Sequence, residues 1–518
     1  MFGFFSNQAK APQRVPTDRV VPVGFFDDTI LFRTFVMYTM FVFDDVLDVL
    51  RLRGALESVV GRPGWNKLGA RIRRNDRGEL EHHIPEAFST DRPAIGYYHV
   101  DLSDTAVGDH PSGSRIPRPP SNGRPAVVGD PGDLYDLVHG PGIPTELNDY
   151  LYQDRPELGL RIVSFKNATV IVLYWMHLSF DAVAEKCLFE AWTLALQGRD
   201  GEILTPLATE DYALENVGKN PAEPYVLIDR CLSMPGLVSW VARNVYSLAI
   251  CSKEHRMVCM PAEYLKRLRE KALEELTVAA IAEGTTVTPF LSEGDILVAW
   301  ATRLAMSNLS KDSERLVSGK HLRRTQVYVN RLAFLSTLKV VIQQAYQWRS
   351  VLKDLIPPDR PFLSNCVGTL VALTTVKELA QRPLSYLASQ IRQAVIKQGS
   401  REQVEAYASL VRQDPRNKAP PFLGASSMQF ISFTNCQKAN MFGIDMSAAA
   451  VKPRSTPLLP SYVQMLHGPY NFTNGIIIVG KDAKGNYWLS GYGVKGLWEI
   501  MERKMATEDV AMMRRSQP

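Results

Sequence analysis

A histidine and an aspartate four residues apart carry the clearest chemical signal in the sequence. His177 follows a run of β-branched and aromatic residues, Thr169 to Met176, and Asp181 precedes a segment with helical periodicity. A neutral imidazole at the end of a buried strand can take a proton from a hydroxyl near pH 7 and return it to a leaving group. The spacing therefore suggests a general base, although a buried histidine beside an ordinary helix cap has the same pattern.

The elements around this pair must position it. Residues 160–165 and 169–176 predict two strands joined by a tight turn at 166–168. After Asp181 the apolar residues fall on one side of a helix, with the aspartate at the N-cap position. Two roles are open for Asp181: it orients His177 directly, or it caps the helix and binds a cation that braces the turn.

Length and composition predict an ordinary two-domain globular protein. The chain has 518 residues, which suits two domains with separate cores, and a net charge of +5, which does not indicate nucleic-acid binding. The most apolar run near the N-terminus, residues 29–43, is interrupted by Arg33, and no secretory signal is evident. We expect no membrane span and a cytoplasmic protein.

The six cysteines are scattered without a CxxC pair, which predicts reduced thiols. Cys251, His255 and Cys259 are evenly spaced, but a fourth ligand is missing, so no metal site is predicted. Repeats, heptads and long charge runs are absent from the sequence. A purely structural role therefore has no support.

Composition also suggests the domain organisation. Residues 1–20 predict a flexible tail, 21–225 an N-terminal domain and 226–518 a C-terminal domain, with an irregular linker near 200–236. Residues 103–132 are rich in Pro, Gly and Ser and predict an exposed, partly flexible insertion.

Other segments give secondary predictions. His82 and His83, at the polar exit of a hairpin, are interpreted as solvated. Residues 237–252 have apolar helical spacing that favours core packing over a membrane-facing patch, and 383–412 predict a helix. Ser292 and Asp295 predict a capped helix start.

The hairpin, the His-x-x-x-Asp motif and the amphipathic helix together resemble the BAHD acyl-CoA-dependent acyltransferases, of the chloramphenicol-acetyltransferase-like (CAT-like) superfamily. Their motif usually ends in Gly, where this chain has Ala182. Weaker similarities cover most of the chain from about residue 20. They are the Lys67–Arg71 segment, the Ser292 helix, the Asn365–Gly368 frame, Phe442–Gly443 and a C-terminal hairpin and helix.

The resemblance implies an α/β (α+β) fold of two CAT-like domains, each a mixed sheet flanked by helices, with the active site at their interface. It makes the strand near 366–376 a candidate for crossing to the N-terminal sheet. Divergent members of this kind are typical of fungal secondary metabolism. The implied activity is an O-acyltransfer, foremost O-acetyltransfer, from acyl-CoA as co-substrate to the hydroxyl of a small-molecule acceptor.

The resemblance also implies roles for particular residues. His177 is the general base, and Asp181 supports its turn by pairing with Arg331, the one charge in a predicted buried strand at 325–335. Ser432 or Thr434 donates a hydrogen bond to the oxyanion. The basic cluster of Lys320, Arg323 and Arg324 contacts the CoA phosphates, although a solvated strand entrance explains it equally well.

Two alternatives stay open, and N-transfer is not separated from O-transfer. A condensation-type enzyme that uses carrier-protein thioesters shares the fold, but its motif usually begins His-His and ends in Gly, where Met176 and Ala182 stand here. A catalytically inactive homologue that only binds ligand is the other. We expect a monomer, because no exposed apolar helix is evident from the sequence.

Overall fold

The structure is a computed structural model that describes residues 10–285, 288–309, 339–468, 472 and 474–515. The strands in these ranges are β1 (Arg19–Pro22), β2 (Val36–Phe43), β3 (Arg71–Arg74), β4 (Leu80–Ile84), β5 (Gly96–Leu102), β6 (Ala126–Gly129), β7 (Gly159–Phe165), β8 (Thr169–Met176), β9 (Lys253–Met260), β10 (Lys339–Gln347), β11 (Val367–Thr375), β12 (Gln429–Asn435), β13 (Tyr462–Gly468), β14 (Gly475–Lys481) and β15 (Tyr487–Val494). The helices are α1 (Val49–Val60), α2 (Tyr135–Val138), α3 (Leu147–Leu151), α4 (Ala182–Leu196), α5 (Met234–Ile250), α6 (Ala262–Ala282), α7 (Glu293–Ala305), α8 (Val376–Gln381), α9 (Leu384–Gln398), α10 (Arg401–Arg412) and α11 (Leu497–Arg515).

The first half of the molecule is built on a five-stranded sheet with the order β13-β2-β8-β7-β5. β7 and β8 form the predicted hairpin, and every residue of both strands is buried. Strands covered on both faces need nearly continuous apolar runs, which the sequence of β8 supplies. α1 and α4 pack together, and their apolar residues join those of the sheet in one core. The end of β8 therefore has a rigid backbone.

The second half is built on a seven-stranded sheet with the order β11-β10-β12-β14-β15-β9-β6. Residues of α6, α7, α9 and α11 cover it in a second core. The predicted start of α7 is confirmed: Ser292 is the N-cap, and its side chain and that of Asp295 each accept the other's backbone N–H. A smaller sheet, β1-β4-β3, completes the described strands.

Each large sheet contains a strand from the other half of the chain. β6 pairs with β9 in the seven-stranded sheet, and β13 pairs with β2 in the five-stranded sheet. The expected crossing by residues 366–376 is wrong, because β11 pairs with β10 at the edge of the seven-stranded sheet. Its side chains alternate between more and less buried positions, as fits an edge strand.

The Pro-rich segment 103–132 is not a bare exposed loop. Val107 and Ile116 are buried in the first core, and β6, within the same segment, pairs with β9. A few apolar side chains and one backbone ladder thus anchor a stretch whose composition alone suggested an exposed insertion.

The prediction that His82 and His83 are solvated is wrong. Both side chains are buried, since β4 is the central strand of the three-stranded sheet. The His82 Nδ1–H donates to the Glu157 carboxylate, and His83 Nε2 lies 3.2 Å from Glu81 Oε2. Burial lowers the pKa of His83.

Two helix predictions also need correction. The single helix expected over 383–412 is two helices, α9 and α10, which are separated at Gly399 and Ser400; the Ser400 side chain caps the second. α5 does not pack as a core helix, because Trp240 is its only buried residue among those described, and Met234 and Val238 are largely exposed. In the described part of the chain no helix has the length and apolar character needed to cross a bilayer.

Candidate active site

His177 lies in a tight turn between β8 and α4. Its backbone N–H donates to the carbonyl of Phe35 at 2.9 Å, and its ring stacks on Phe32 with 4.2 Å between the ring centroids. The turn is closed by the Trp175 indole, which donates to the carbonyl of Phe180 at 3.2 Å. The imidazole therefore has a fixed backbone and a flat aromatic wall on one side.

The environment of His177 favours a neutral imidazole. Burial lowers its pKa below the ordinary value, and its own backbone, the charge of Asp181 and the amide of Asn365 oppose this only in part. An unprotonated imidazole at neutral pH is the form that accepts a proton.

Asp181 takes the second of its two open roles. Its Oδ1 accepts the N–H groups of Val183 and Ala184, each at 3.1 Å, so it caps α4. Its Oδ2 accepts from the Arg349 guanidinium at 2.7 Å and from the Cys366 N–H at 2.9 Å. Burial alone raises the pKa of Asp181, but Arg349 and these backbone donors outweigh it and hold the pKa below its ordinary value. Asp181 is thus an ionised brace of the turn.

The cation that pairs with Asp181 is Arg349, two residues after β10, which sequence reasoning did not select. Arg331, the predicted partner, lies outside the described residues. Besides the ion pair, Arg349 donates to the carbonyls of Phe362 and Ser364, at 3.1 and 2.8 Å. It therefore joins the turn of the first half to a segment of the second half.

Asn365 is a second residue that holds the turn from across the molecule. Its Nδ2 donates to the carbonyl of His177 at 2.8 Å and to Asp27 Oδ1 at 2.8 Å, and its backbone N–H donates to the same Asp27 oxygen at 2.6 Å. Burial raises the pKa of Asp27 to about 6, although Lys67 and the bonds from Asn365 oppose this rise. The resemblance singled out Asn365 as part of a frame, but nothing in the sequence suggested this contact.

A cavity of about 560 Å³ opens beside His177, between the two large sheets. This volume suits a small molecule. Its wall from the first half includes Phe32, Phe35, Met37, Trp175 and His177, and its wall from the second half includes Gln343, Gln344, Ser432, Thr434 and Tyr492. The site therefore lies where the two halves meet.

Both predicted oxyanion donors line this cavity. Ser432 and Thr434 are two residues apart on β12, so their side chains point to the same face of the sheet. Ser432 is half-buried and Thr434 is exposed. The predicted phosphate contacts Lys320, Arg323 and Arg324 lie outside the described residues. Lys438 is an exposed basic residue at the cavity.

Comparison with solved structures identifies the fold. The fold matches that of F. sporotrichioides TRI101 complexed with Coenzyme A and T-2, with a TM-score of 0.63 and 14% identity, over 93% of this chain and 97% of that chain. It also matches vinorine synthase, with a TM-score of 0.56 over 96% and 94%. The chain therefore has the two-domain fold of the CAT-like acyltransferases, and the fold-class prediction is confirmed.

Sequence comparison gives the family, although no protein-family model matches the chain. "Transcriptional regulator calD" of Penicillium decumbens is 34% identical over 98% of this chain and 99% of its own. "Acetyltransferase adrJ" of Penicillium rubens is 30% identical over 97% and 98%, and "O-acetyltransferase PaAT-2" of Phomopsis amygdali is 28% identical over 95% and 98%. The chain belongs to the BAHD-like family of acyl-CoA-dependent acyltransferases, among its fungal members, as its motifs predicted.

Proposed function

We propose that this chain transfers an acyl group, foremost acetyl, from CoA to a hydroxyl of a small secondary metabolite. The observation that carries the proposal is the position of His177, half-buried at the wall of the cavity between the two halves. The names of the relatives support acetyl transfer, and the TRI101 complex supports CoA as co-substrate.

The proposed reaction needs one base and no covalent intermediate. His177 takes the proton from the acceptor hydroxyl as its oxygen attacks the thioester carbonyl, and a tetrahedral oxyanion forms. The C–S bond then breaks, and the imidazolium gives its proton to the CoA sulfur, which leaves an ester and free CoA. General base assistance of this kind contributes about 10²–10⁴ in rate.

We assign supporting roles to the neighbouring groups. Ser432 and Thr434 are the candidate donors to the oxyanion, a role worth about 10²–10³ in rate. Asp181, bound to Arg349, holds the turn and takes no proton itself. Lys320, Arg323 and Arg324 remain our proposed contacts to the CoA phosphates, and no metal takes part in the proposed reaction.

Binding of acetyl-CoA, without any acceptor, is the first test. With about 1 mM ligand and a Kd on the order of 10 µM, linkage predicts roughly 2.7 kcal/mol of stabilisation. Thermal unfolding should therefore shift upward by several degrees both in the wild type and in His177→Ala. No shift with any acyl-CoA, in folded protein, contradicts a CoA-dependent reaction and favours a carrier-protein thioester as donor.

Turnover is the second test. A panel of polycyclic alcohols and matched amines is incubated with acetyl-CoA, and free CoA and acetylated product are measured together. We expect ester formation in the wild type and its loss in His177→Ala. Amide products alone contradict O-transfer.

A binding role without catalysis is the second candidate, because the relative of 34% identity carries the name of a transcriptional regulator. The same assays separate the two functions: a catalytically inactive homologue binds acetyl-CoA or acceptor but forms no ester with any member of the panel. The intact His177 and Asp181 favour the enzyme.

We also propose that the protein works in the cytoplasm and as a monomer, in which no second copy covers the exposed apolar residues of α5, such as Met234 and Val238. All six cysteines are free, which fits a reducing compartment. Gel filtration with light scattering tests the monomer, and imaging of a fluorescent fusion tests the location.

A further inference from the structure

A lysine ammonium is completely buried where the two halves of the molecule meet. Lys67, in the turn before β3, donates through Nζ to the carbonyl of Ser179 at 3.2 Å, to Ser364 Oγ at 3.1 Å and to the carbonyl of Leu363. An ammonium has three N–H donors, and each of them here has an acceptor. Burial lowers the pKa of Lys67, and the charges of Asp27 and Glu157 oppose this.

The two carboxylates that compensate Lys67 hold the same two segments. Glu157, fully buried, accepts the hydroxyl of Ser179 with one oxygen and the His82 Nδ1–H with the other. Asp27 accepts both N–H donors of Asn365. A buried charge is costly unless it is paired. The one cation and the two anions lie on three separate segments, so the pairing is kept only while these segments hold their relative positions.

The contacts of Lys67 connect the His177 turn to the segment that contains Asn365. Ser179 lies in the turn two residues after His177, and Ser364 directly precedes Asn365, which donates to the His177 carbonyl. Lys67 thus fixes the separation of the His177 turn and the 363–366 segment. These two segments also contact each other directly: Asn365 donates to the His177 carbonyl, and the Cys366 N–H donates to the Asp181 carboxylate. Lys67 itself is not among the described residues that line the cavity.

We propose that Lys67 is a positioning residue for the base: its buried ammonium sets the distance between the His177 turn and the 363–366 segment, and so the orientation of the imidazole. This inference rests on the proposed function of His177. The ammonium touches neither co-substrate nor acceptor, and it acts through Ser179 and Asn365.

Lys67→Met removes the charge and the three donors and keeps the length of the side chain. We expect kcat for acetyl transfer to fall by about 10- to 100-fold, because small misplacements of a reacting group cost this much. The KM for acetyl-CoA should stay unchanged. Lys219→Met, which breaks an exposed ion pair with Glu215, is the matched control and should keep wild-type kinetics.

A second variant separates positioning from stability, since Lys67→Met leaves two buried carboxylates short of a cation. Lys67→Met with Glu157→Gln removes one charge of each sign, and Glu157→Gln alone is its control. For a positioning role, the double variant regains most of the lost Tm while kcat stays low. Recovery of kcat together with Tm overturns the inference, as does a wild-type kcat in folded Lys67→Met. If the wild type transfers no acetyl group, the proposed function is overturned and this inference with it, whether or not acetyl-CoA raises the Tm of the wild type.

Discussion

The imidazole of His177 determines the pH below which the proposed reaction slows. Its pKa lies below the ordinary 6.5 because the ring is buried, and the base acts only when unprotonated. We therefore predict that the decline of kcat/KM for acetyl transfer on the acid side has its midpoint below pH 6.5. The measurement is a pH–rate profile of wild-type enzyme.

The titration of Asp27 must be distinguished from that of His177 in the pH–rate profile. Its pKa is about 6 and it holds Asn365, so its protonation falls in the same range. Asp27→Asn is the control: the decline assigned to His177 should persist in it. A decline whose midpoint lies above pH 6.5 contradicts a lowered pKa for the base.

The ion pair of Asp181 and Arg349 is the second prediction at this scale. Removing one partner of a buried pair leaves an uncompensated charge and costs about 3–5 kcal/mol. We expect Arg349→Met to lower the Tm clearly and Arg349→Met with Asp181→Asn to lower it less. Calorimetry at pH 7 is the measurement, and Arg199→Met, in an exposed pair with Glu202, is the control.

The contribution of this pair has a definite pH dependence. The pKa of Asp181 is below its unfolded value, so the stabilisation is complete above about pH 4 and is lost as the pH falls through the folded pKa. Equal Tm values for the single and double variants at pH 7 argue against an ionised Asp181.

At the residue scale, the sequence predicted the local positions of His177 and Asp181 better than the residues that hold them. His177 and Asp181 could be predicted because a strand, a turn and a helix are local patterns. Arg349 could not, since it contacts Asp181 across 168 positions and spacing carries no information over that distance. Lys67 was noticed only as part of a motif, because the sequence does not distinguish a buried lysine from one at the surface.

At the scale of elements, α4 contains a buried acid that the proposed reaction does not use. Glu185 is one turn after Asp181, and burial raises its pKa to about 8; the Thr39 hydroxyl nearby offsets only part of this. Neither of its oxygens has a hydrogen-bond partner among the described residues. The folded protein therefore keeps Glu185 protonated at neutral pH.

This acid should make the stability depend on pH. Because the folded pKa lies above the unfolded value of 4.5, no stability is lost below pH 4.5; it falls as the pH rises, and the loss is complete above about 8. We predict that the Tm difference between Glu185→Gln and wild type grows steadily from pH 5 to about pH 8. Glu190→Gln, exposed on the same helix, should show no such trend. A constant difference contradicts the raised pKa.

The elements themselves divide into those that local pattern predicts and those that it does not. β8 and the start of α4 fall where the change from period two to helical period placed them. The crossing strand was predicted to be β11, but it is β13. An apolar run indicates that a strand is buried but not which strand it pairs with. His82 was misread for the same reason: its partner Glu157 is far away in the sequence.

At the scale of the whole molecule, β6 and β13, the strands exchanged between the two large sheets, join the two halves in one packed structure. The first core contains residues of both large sheets, among them Val463 of β13 and Trp488 of β15. Tyr462 of β13 also packs edge-to-face on Trp488, with 5.4 Å between the ring centroids. Opening either sheet therefore exposes apolar surface of the other, and the cavity that both sheets line is held together by the same contacts.

We accordingly predict a single cooperative unfolding transition. Val463→Ala removes two buried methyl groups from β13, at a cost of about 2 kcal/mol. Hydrogen exchange in increasing denaturant should show equal losses of protection in β8 and β15, since both sheets open together. Leu50→Ala, at an exposed position of α1, is the control and should change neither. If protection falls in β8 alone, or if β8 and β15 open at different denaturant concentrations, the halves fold separately, and the exchanged strands join them without coupling their stability.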